Sequence, residues 1–333
     1  MAYDYPLALY ETQIGVENPA GQQATASIVL PGVAITPKPV VETMAVKRAG
    51  KAHKAGYYAV KEYTEAKVEG VPDYEGVLYL LASYLGAPST TDTGAAGGAL
   101  QHVWVHTGAE KGKSLTVESN PASGVAFRFI YGMVKSLELQ MSRSESETST
   151  SLSGEMFGAA LQKGITPTEG TPLPFVPLLP THGTLYAADT LADLDTAAAL
   201  EADFSVGLKL GERYRPEWHI KREMADFAGV AVKSEQDIEV SLKVAADDAG
   251  LAWLDTLRIS GRKYLRIEAV GPETSESGVM YSLTFDLPVM VSEAGEMSDE
   301  DGLYAAEWTL KAVWDDALGG VLRATLVNTR QSL

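Results

Sequence analysis

The chain has 333 residues, 45% of them hydrophobic and 21% charged, no cysteine and a formal net charge of −17. Those figures exclude global disorder, a disulfide scaffold, a thiol nucleophile and any Cys-ligated metal. They also speak against the basic footprint that tight nucleic-acid binding needs.

The length suits two domains or one large all-β unit. The charge is uneven: residues 1–163 hold 13 Lys and Arg against 16 Asp and Glu, while residues 164–333 hold 14 against 28. Two surfaces of such different charge hint at two domains with different neighbours. No apolar run reaches the roughly 18 residues of a helical membrane span. The opening Met1–Pro6 has neither a basic nor an apolar leader, so no secretion signal is expected.

In chain order, residues 1–36 are weakly patterned and read as an arm lying against something rather than as a core element. Residues 57–69, rich in Tyr and Val, read as a strand. Val71–Gly86 reads as a helix with Asp73 as N-cap, Glu75 near its N-terminus and Gly86 and Pro88 as its stop. Strands are expected at 101–107, 114–118, 126–131 and 133–142. In the last, Leu137, Leu139 and Met141 share one face, and Ser136, Glu138 and Gln140 share the other. A polar loop over 142–153 precedes residues 154–161. Residues 164–183 read as a linker, because Pro167, Pro172, Pro174, Pro177 and Pro180 forbid a helix or central strand. Their interleaved Leu and Phe imply packing along a surface.

The second half repeats this order. Residues 236–244 form a strand with Ile238, Val240, Leu242 and Val244 on one face. A helix follows over 247–261, capped by Asp247 or Asp248. Strands are expected at 263–270, 279–291, 303–314 and 322–327, with an acidic loop at 292–301. Asp73 and Asp247 are 174 positions apart, and Gly86 and Gly261 are 175 apart. Together with the shared order, this offset reads as a tandem duplication of a mostly β domain.

Chemistry-bearing motifs are scarce. Gly94–Gly98 lacks the Lys-Ser/Thr tail of a phosphate loop, and no Gly-x-Ser-x-Gly elbow occurs. His102 and His106 share a strand face with Trp104 between them, but no third metal ligand is signposted. Asp247 and Asp248 suit capping better than acid–base work. The carboxylates of 293–301 do not follow EF-hand spacing. The basic stretch Lys47–Lys54 reads as a solvated loop, or one that meets an acidic loop of a neighbouring copy. No catalytic, cofactor or metal site is expected, and the chain reads as not an enzyme.

Val71–Pro88, His102–His106, Ser114–Glu118, Gly132–Leu139, Tyr186–Thr190 and Phe204–Trp218, taken in order, resemble the tail tube (major tail) proteins of long-tailed bacteriophages, of the two-domain type. The resemblance covers most of 57–330. It implies a mainly β fold of tandem β-sandwich or barrel-like tail tube domains, each with a short flanking α-helix, whose inner sheets form a continuous barrel in a ring. It divides the chain into a first domain over 1–163, the linker over 164–183 and a second domain over 184–333. It implies a structural subunit of the virion tail, assembled in the host cytoplasm, forming stacked rings, trimeric and pseudo-hexameric in the two-domain type. The hollow lumen conducts genomic DNA without specific binding. The partners implied are the chain itself and tail tip, tape measure and tail terminator proteins, with no membrane.

On that reading the wet strand faces line the lumen: Ser136, Glu138 and Gln140; Glu239, Ser241 and Lys243; Ser282, Thr284 and Asp286. The two polar loops supply inter-subunit or inter-ring contacts through Arg143, Glu145, Glu147, Glu293, Glu296, Asp299, Glu300 and Asp301. The alternative reading is a surface-displayed carbohydrate-binding or adhesin-type β-sandwich, which would be a monomer with an aromatic binding face.

Overall fold

A computed structural model describes residues 10–93, 98–121, 126–143, 148–200, 203–220, 226–233, 236–276, 278–300, 302–330 and 333. The fold is mainly β. In chain order the elements are β1 (Tyr10–Val16), β2 (Ile28–Leu30), β3 (Val33–Lys47), β4 (Lys54–Gly70), α1 (Val77–Leu85), β5 (Ser89–Asp92), β6 (Leu100–His106), β7 (Leu115–Pro121), β8 (Ala126–Arg143) and β9 (Thr148–Gly158). There follow β10 (Gln162–Ile165), β11 (Thr171–Pro172), β12 (Gly183–Ala188), β13 (Asp203–Leu210), β14 (Tyr214–Glu217), β15 (Gly229–Val232) and β16 (Ile238–Ala245). The last elements are α2 (Asp248–Arg258), β17 (Arg262–Glu273), β18 (Met280–Glu300), β19 (Leu303–Ala312) and β20 (Leu322–Asn328).

Two layers enclose the core. The first is a run of eight strands in the order β3, β4, β9, β8, β13, β16, β19, β18, each antiparallel to the next. The second is built on the N-terminal parts of β8 and β18. There β8 pairs with β7 and β10, and β18 pairs with β17 and β20. The long strands β8 and β18 therefore belong to both layers. In β8 the change of layer falls at Tyr131, whose φ of 57° lies in the left-handed region that L side chains rarely adopt. α1 lies between the layers with all nine residues buried, as a helix apolar on every side must. Val77 and Leu81 of α1 meet Leu137 and Leu208 of the first layer and Leu283 and Phe285 of the second around one small apolar cavity.

Four expectations change. The segment read as an arm is built into the fold through β1, which pairs with both β2 and β7 and whose Ile14 is fully buried; residues 1–9 of the expected arm lie outside the described residues. The buried Glu17 carboxylate anchors it, accepting from Ser114 Oγ (2.6 Å), Thr116 Oγ1 (2.9 Å) and the backbone N–H groups of Gly21 and Tyr131 (2.8 Å each). Asp73 does not cap α1. Its Oδ1 accepts from the N–H groups of Glu75 (3.1 Å) and Gly76 (2.7 Å), closing a turn before the helix starts at Val77. Most of the polar 142–153 segment is strand, because β9 begins at Thr148. The acidic 292–300 segment is strand as well, the C-terminal part of β18. In β9 the polar stretch makes a strand with one face buried, at Thr150 and Leu152, whereas 292–300 is exposed on both faces among its described side chains and is held as a strand by its pairing with β19.

Other expectations stand. Asp247 caps α2, accepting from Gly250 N–H at 2.8 Å. The Pro-rich segment packs along the surface as its Leu residues implied: Leu173 and Leu178 are buried, and Leu173 N–H donates to Val29 O at 3.1 Å.

The pairing pattern of the first layer recurs. The run β3, β4, β9, β8 has the same chain-order sense as β13, β16, β19, β18, each with its helix after the second strand. Both runs carry a bulge at the same place. Val134 and Ser136 face Met156 and Glu155, while Val291 and Glu293 face Leu310 and Thr309. Following the ladders outward, Met156 faces Ala66 and Ala66 faces Pro37; Leu310 faces Val240 and Val240 faces Leu208. Pro37 thus corresponds to Leu208, Lys38 to Lys209 and Glu65 to Glu239. The two cross-strand ion pairs at these positions match, Lys38–Glu65 at 3.5 Å and Lys209–Glu239 at 3.8 Å.

Candidate functional site

The face of the eight-stranded layer turned away from the core is wet and continuous. Leu137, Leu139, Leu208, Leu210, Val240, Leu242, Trp308 and Leu310 point inward and are buried. The residues between them form rows across the strands. One row runs Ser153, Glu138, Lys209, Glu239, Lys311, and the next runs Ser151, Gln140, Gly207, Ser241, Thr309. Glu239 lies between two cations, 3.8 Å from Lys209 and 3.3 Å from Lys311. The first row alternates in sign, so its charges largely cancel.

Six of the nine residues expected to share a wet surface do so. Glu138, Gln140 and Ser241 are exposed, and Ser136, Glu239 and Lys243 are half-buried. Ser282, Thr284 and Asp286 lie elsewhere. They fall on the part of β18 that belongs to the second layer, paired with β17 and β20. Asp286 is also buried, held by Arg266 Nε at 2.6 Å and Arg266 Nη2 at 3.2 Å, while Arg266 Nη1 reaches Asp195 at 2.9 Å. The alternation of β18 was legible, but its change of layer was not. Lys209 and Lys311, which neutralise the charge row, were not picked out, although each alternates with Leu on its own strand.

Of the expected contact residues, Arg143 is exposed at the end of β8, and Glu293 and Asp299 are exposed on β18. Glu296 and Glu300 also lie on β18. Glu145, Glu147 and Asp301 fall outside the described residues.

Two strand edges of the eight-stranded layer have no partner strand among the described residues. On β18 the open edge begins after Met290, the last residue that β17 covers. On β3 it begins after Ile35, whose N–H donates to Thr12 Oγ1 (3.0 Å) and whose carbonyl accepts from Ser119 Oγ (3.2 Å). Beyond Thr64, β4 loses its pairing with β9, and β3 and β4 continue as a two-stranded ribbon. Its sides expose Val41, Met44, Val46, Tyr57, Tyr58 and Val60. Its turn holds the basic stretch Lys47–Lys54, which is exposed throughout.

In the corresponding connection of the second half, the described residues between β13 and β16 pack on the first half. Phe227 packs on Phe157 and Tyr131, and Trp218 packs edge-on against Tyr63 at 5.6 Å. Arg213, fully buried, sits by the rings of Tyr84 and Tyr214 and donates to Tyr84 O (2.8 Å) and Glu110 O (2.5 Å). Burial opposes ionisation of Glu110, but hydrogen bonds from the Thr107 hydroxyl and backbone, with His106 alongside, hold its carboxyl down at about 2. Burial, and then Arg213, push the His106 imidazole below its usual range.

The histidine pair is occupied structurally. His102 bonds Thr90 and Asn328, and His106 bonds Glu110 and Gln236. No family model matches the chain, and a search of curated proteins gives no match.

Proposed function

We propose that the chain is a structural subunit, not an enzyme, that assembles with its own copies through the two open edges into a ring. Stacked rings would form a hollow tube of the bacteriophage tail tube kind. The observation that carries this reading is the eight-stranded layer with an open edge at each end and one wet, continuous face. An antiparallel layer of that kind satisfies its edge groups by pairing head to tail with further copies.

On this reading the two matching four-strand runs are tandem tail tube domains, over 1–163 and 184–333, joined by the segment 164–183. Three copies close the inner sheets into one barrel with pseudo-sixfold symmetry. The wet face becomes the lumen, with Ser136, Glu138, Gln140, Glu239, Ser241 and Lys243 along its wall. Small polar groups and a self-cancelling charge row present DNA with no cationic surface to grip its phosphates. The exposed ribbon and the acidic end of β18 are the natural places for contacts between rings and with tail tip, tape measure and terminator proteins. The virion tail is the site of action, and assembly occurs in the host cytoplasm.

Electron microscopy and sedimentation of the concentrated full chain test this directly. Rings or hollow tubes are expected. A species that stays monomeric at every concentration, and binds glycans, would overturn the reading in favour of a surface-displayed β-sandwich.

A further inference from the structure

The chain already contains one seam between its two strand runs. In it β13 lies antiparallel to β8, with Leu208 opposite Leu139, Lys209 opposite Glu138 and Leu210 opposite Leu137. The two open edges are the counterparts of these same two strands. β3 corresponds to β13, and the C-terminal part of β18 corresponds to β8, as the matching Lys–Glu pairs and the shared bulge fix residue by residue as far as Ala294, where β18 has a further bulge that β8 lacks.

We propose that the β8–β13 seam is the template for a seam between copies, in which β18 of one copy pairs antiparallel with β3 of the next in the same register. This inference rests on the self-assembly reading and adds the register to it.

The correspondence gives definite pairs. Leu137 corresponds to Ala294 and Leu210 to Pro39, so Ala294 lies opposite Pro39 of the second copy. One step along, Glu293 lies opposite Val40; on the other side β18 carries a second bulge, between Ala294 and Met297, which brings Gly295 next to Lys38 and ends the strict correspondence with β8. The internal seam sets Lys209 against Glu138. The new seam sets Lys38 beside Glu293 and beside Glu307, whose side chain already closes over Gly295: a Cβ there would meet Glu307 Cβ at 2.9 Å. Carboxylates therefore flank the lysine in the new seam too, although diagonally and not directly across from it.

The hydrogen-bonding sense also agrees. Val71 N–H donates to Gly32 O, which points even-numbered residues of β3 at β4 and odd-numbered ones at the open edge. Gly211 N–H donates to Asp237 O, which points even-numbered residues of β13 at β8. Pro37 and Pro39 thus occupy the edge-facing positions that Leu208 and Leu210 fill inside the chain. They offer carbonyl acceptors but no N–H donors, so the seam between copies has fewer hydrogen bonds than the internal one. Proline on an edge strand is a recognised restraint on indiscriminate edge pairing.

The chain has no cysteine, so engineered pairs report without background. Val40→Cys with Glu293→Cys in one full-length chain should give, on oxidation, a ladder of covalently linked copies. Its yield should be about tenfold above that of an off-register pair, Val40→Cys with Met290→Cys, because a disulfide tolerates only a narrow Cα separation. The intramolecular control, Glu138→Cys with Lys209→Cys, should close a disulfide without any ladder. Zero-length carboxyl–amine cross-linking of the unsubstituted chain, read by mass spectrometry, should join Lys38 to Glu293 or Glu307. This arm is independent of how the variants fold. Rings that form while only the off-register pair links would overturn the register and leave the assembly reading standing. A chain that forms no oligomer, with neither ladder nor cross-link, would overturn both.

Discussion

Glu75 and Arg330 are 255 positions apart in the chain, and Arg330 Nε donates to Glu75 Oε2 at 2.9 Å. The other carboxylate oxygen accepts from Tyr281 Oη (3.0 Å) and Thr329 Oγ1 (2.5 Å). One fully buried carboxylate at the entrance to α1 therefore ties the first half to β18 and to the end of β20. Asn328 strengthens the tie, donating to Tyr74 O at 2.9 Å.

Replacing Glu75 by Ala strands a guanidinium and two hydroxyls around a buried site. The expected loss is about 3–5 kcal/mol, the usual cost of removing one partner of a buried pair. Arg330→Ala should cost less, because the carboxylate keeps its hydroxyl donors and Arg330 is partly exposed. The double variant should be far from additive. Urea denaturation reads all three, and a Glu75→Ala midpoint equal to that of the unsubstituted chain would refute the role.

The N-terminal segment gives a second test. Glu17→Ala removes the acceptor of four hydrogen bonds and should release β1 and the Tyr131 bend together. The expected cost is roughly 3 kcal/mol or more, since each stranded buried donor costs ~1–3 kcal/mol. Hydrogen exchange of the isolated chain should find residues 10–16 protected, and Glu17→Ala should abolish that protection. Exchange at the unprotected rate in the unsubstituted chain would mean that this segment orders only on assembly.

The two carboxylates Glu138 and Asp286, indistinguishable by strand alternation alone, should part under the same substitution. Glu138→Lys lies on the exposed face of β8 and should change stability by no more than ~0.5 kcal/mol. Asp286→Lys buries a cation beside Arg266, with Arg323 directly across the ladder, and should cost on the order of 3–5 kcal/mol. Thermal unfolding of both variants decides it. Equal, small effects would place Asp286 on a wet surface after all.

What the sequence could and could not disclose follows from the range of each interaction. Strand alternation is local, and it placed Ser136, Glu138 and Gln140 opposite Leu137, Leu139 and Met141. The capping of α2 by Asp247 is equally local. The recurring order of strands and helix was visible because the same local signals appear in both halves. The change of layer within β18 is not local, since it depends on which neighbour β17, β19 or β20 reaches each residue. That is why alternation alone groups Asp286 with Glu138. The strand character of 292–300 was hidden for a related reason. Its acidic residues look like a loop until β19 supplies the pairing. Pro37 and Pro39 sit within β3 because they lie on an open edge, where a missing N–H leaves no donor unpaired.

The pH dependence of stability carries the last test. Burial raises the Asp73 carboxyl to about 6, against 3.8 for the free group, and the N–H groups of Gly76 and Glu75 only partly offset it. Its Oδ2 is buried without a hydrogen-bond partner among the described residues. Between those two values the folded chain holds the proton and the unfolded chain releases it. The contribution of Asp73 to stability therefore falls as pH rises from about 4 to 6, by on the order of 3 kcal/mol. Asp73→Asn cannot ionise and should flatten the stability profile in that window, whatever its effect on absolute stability. Glu110, held at about 2 against 4.5, acts in the opposite sense: its contribution is present above about pH 4.5 and is lost as pH falls toward 2. Urea midpoints at pH 4, 5, 6 and 7 separate the two groups, because only the Asp73 window lies inside that range. An unchanged slope in Asp73→Asn would show that the folded carboxyl ionises as a solvent-exposed one does.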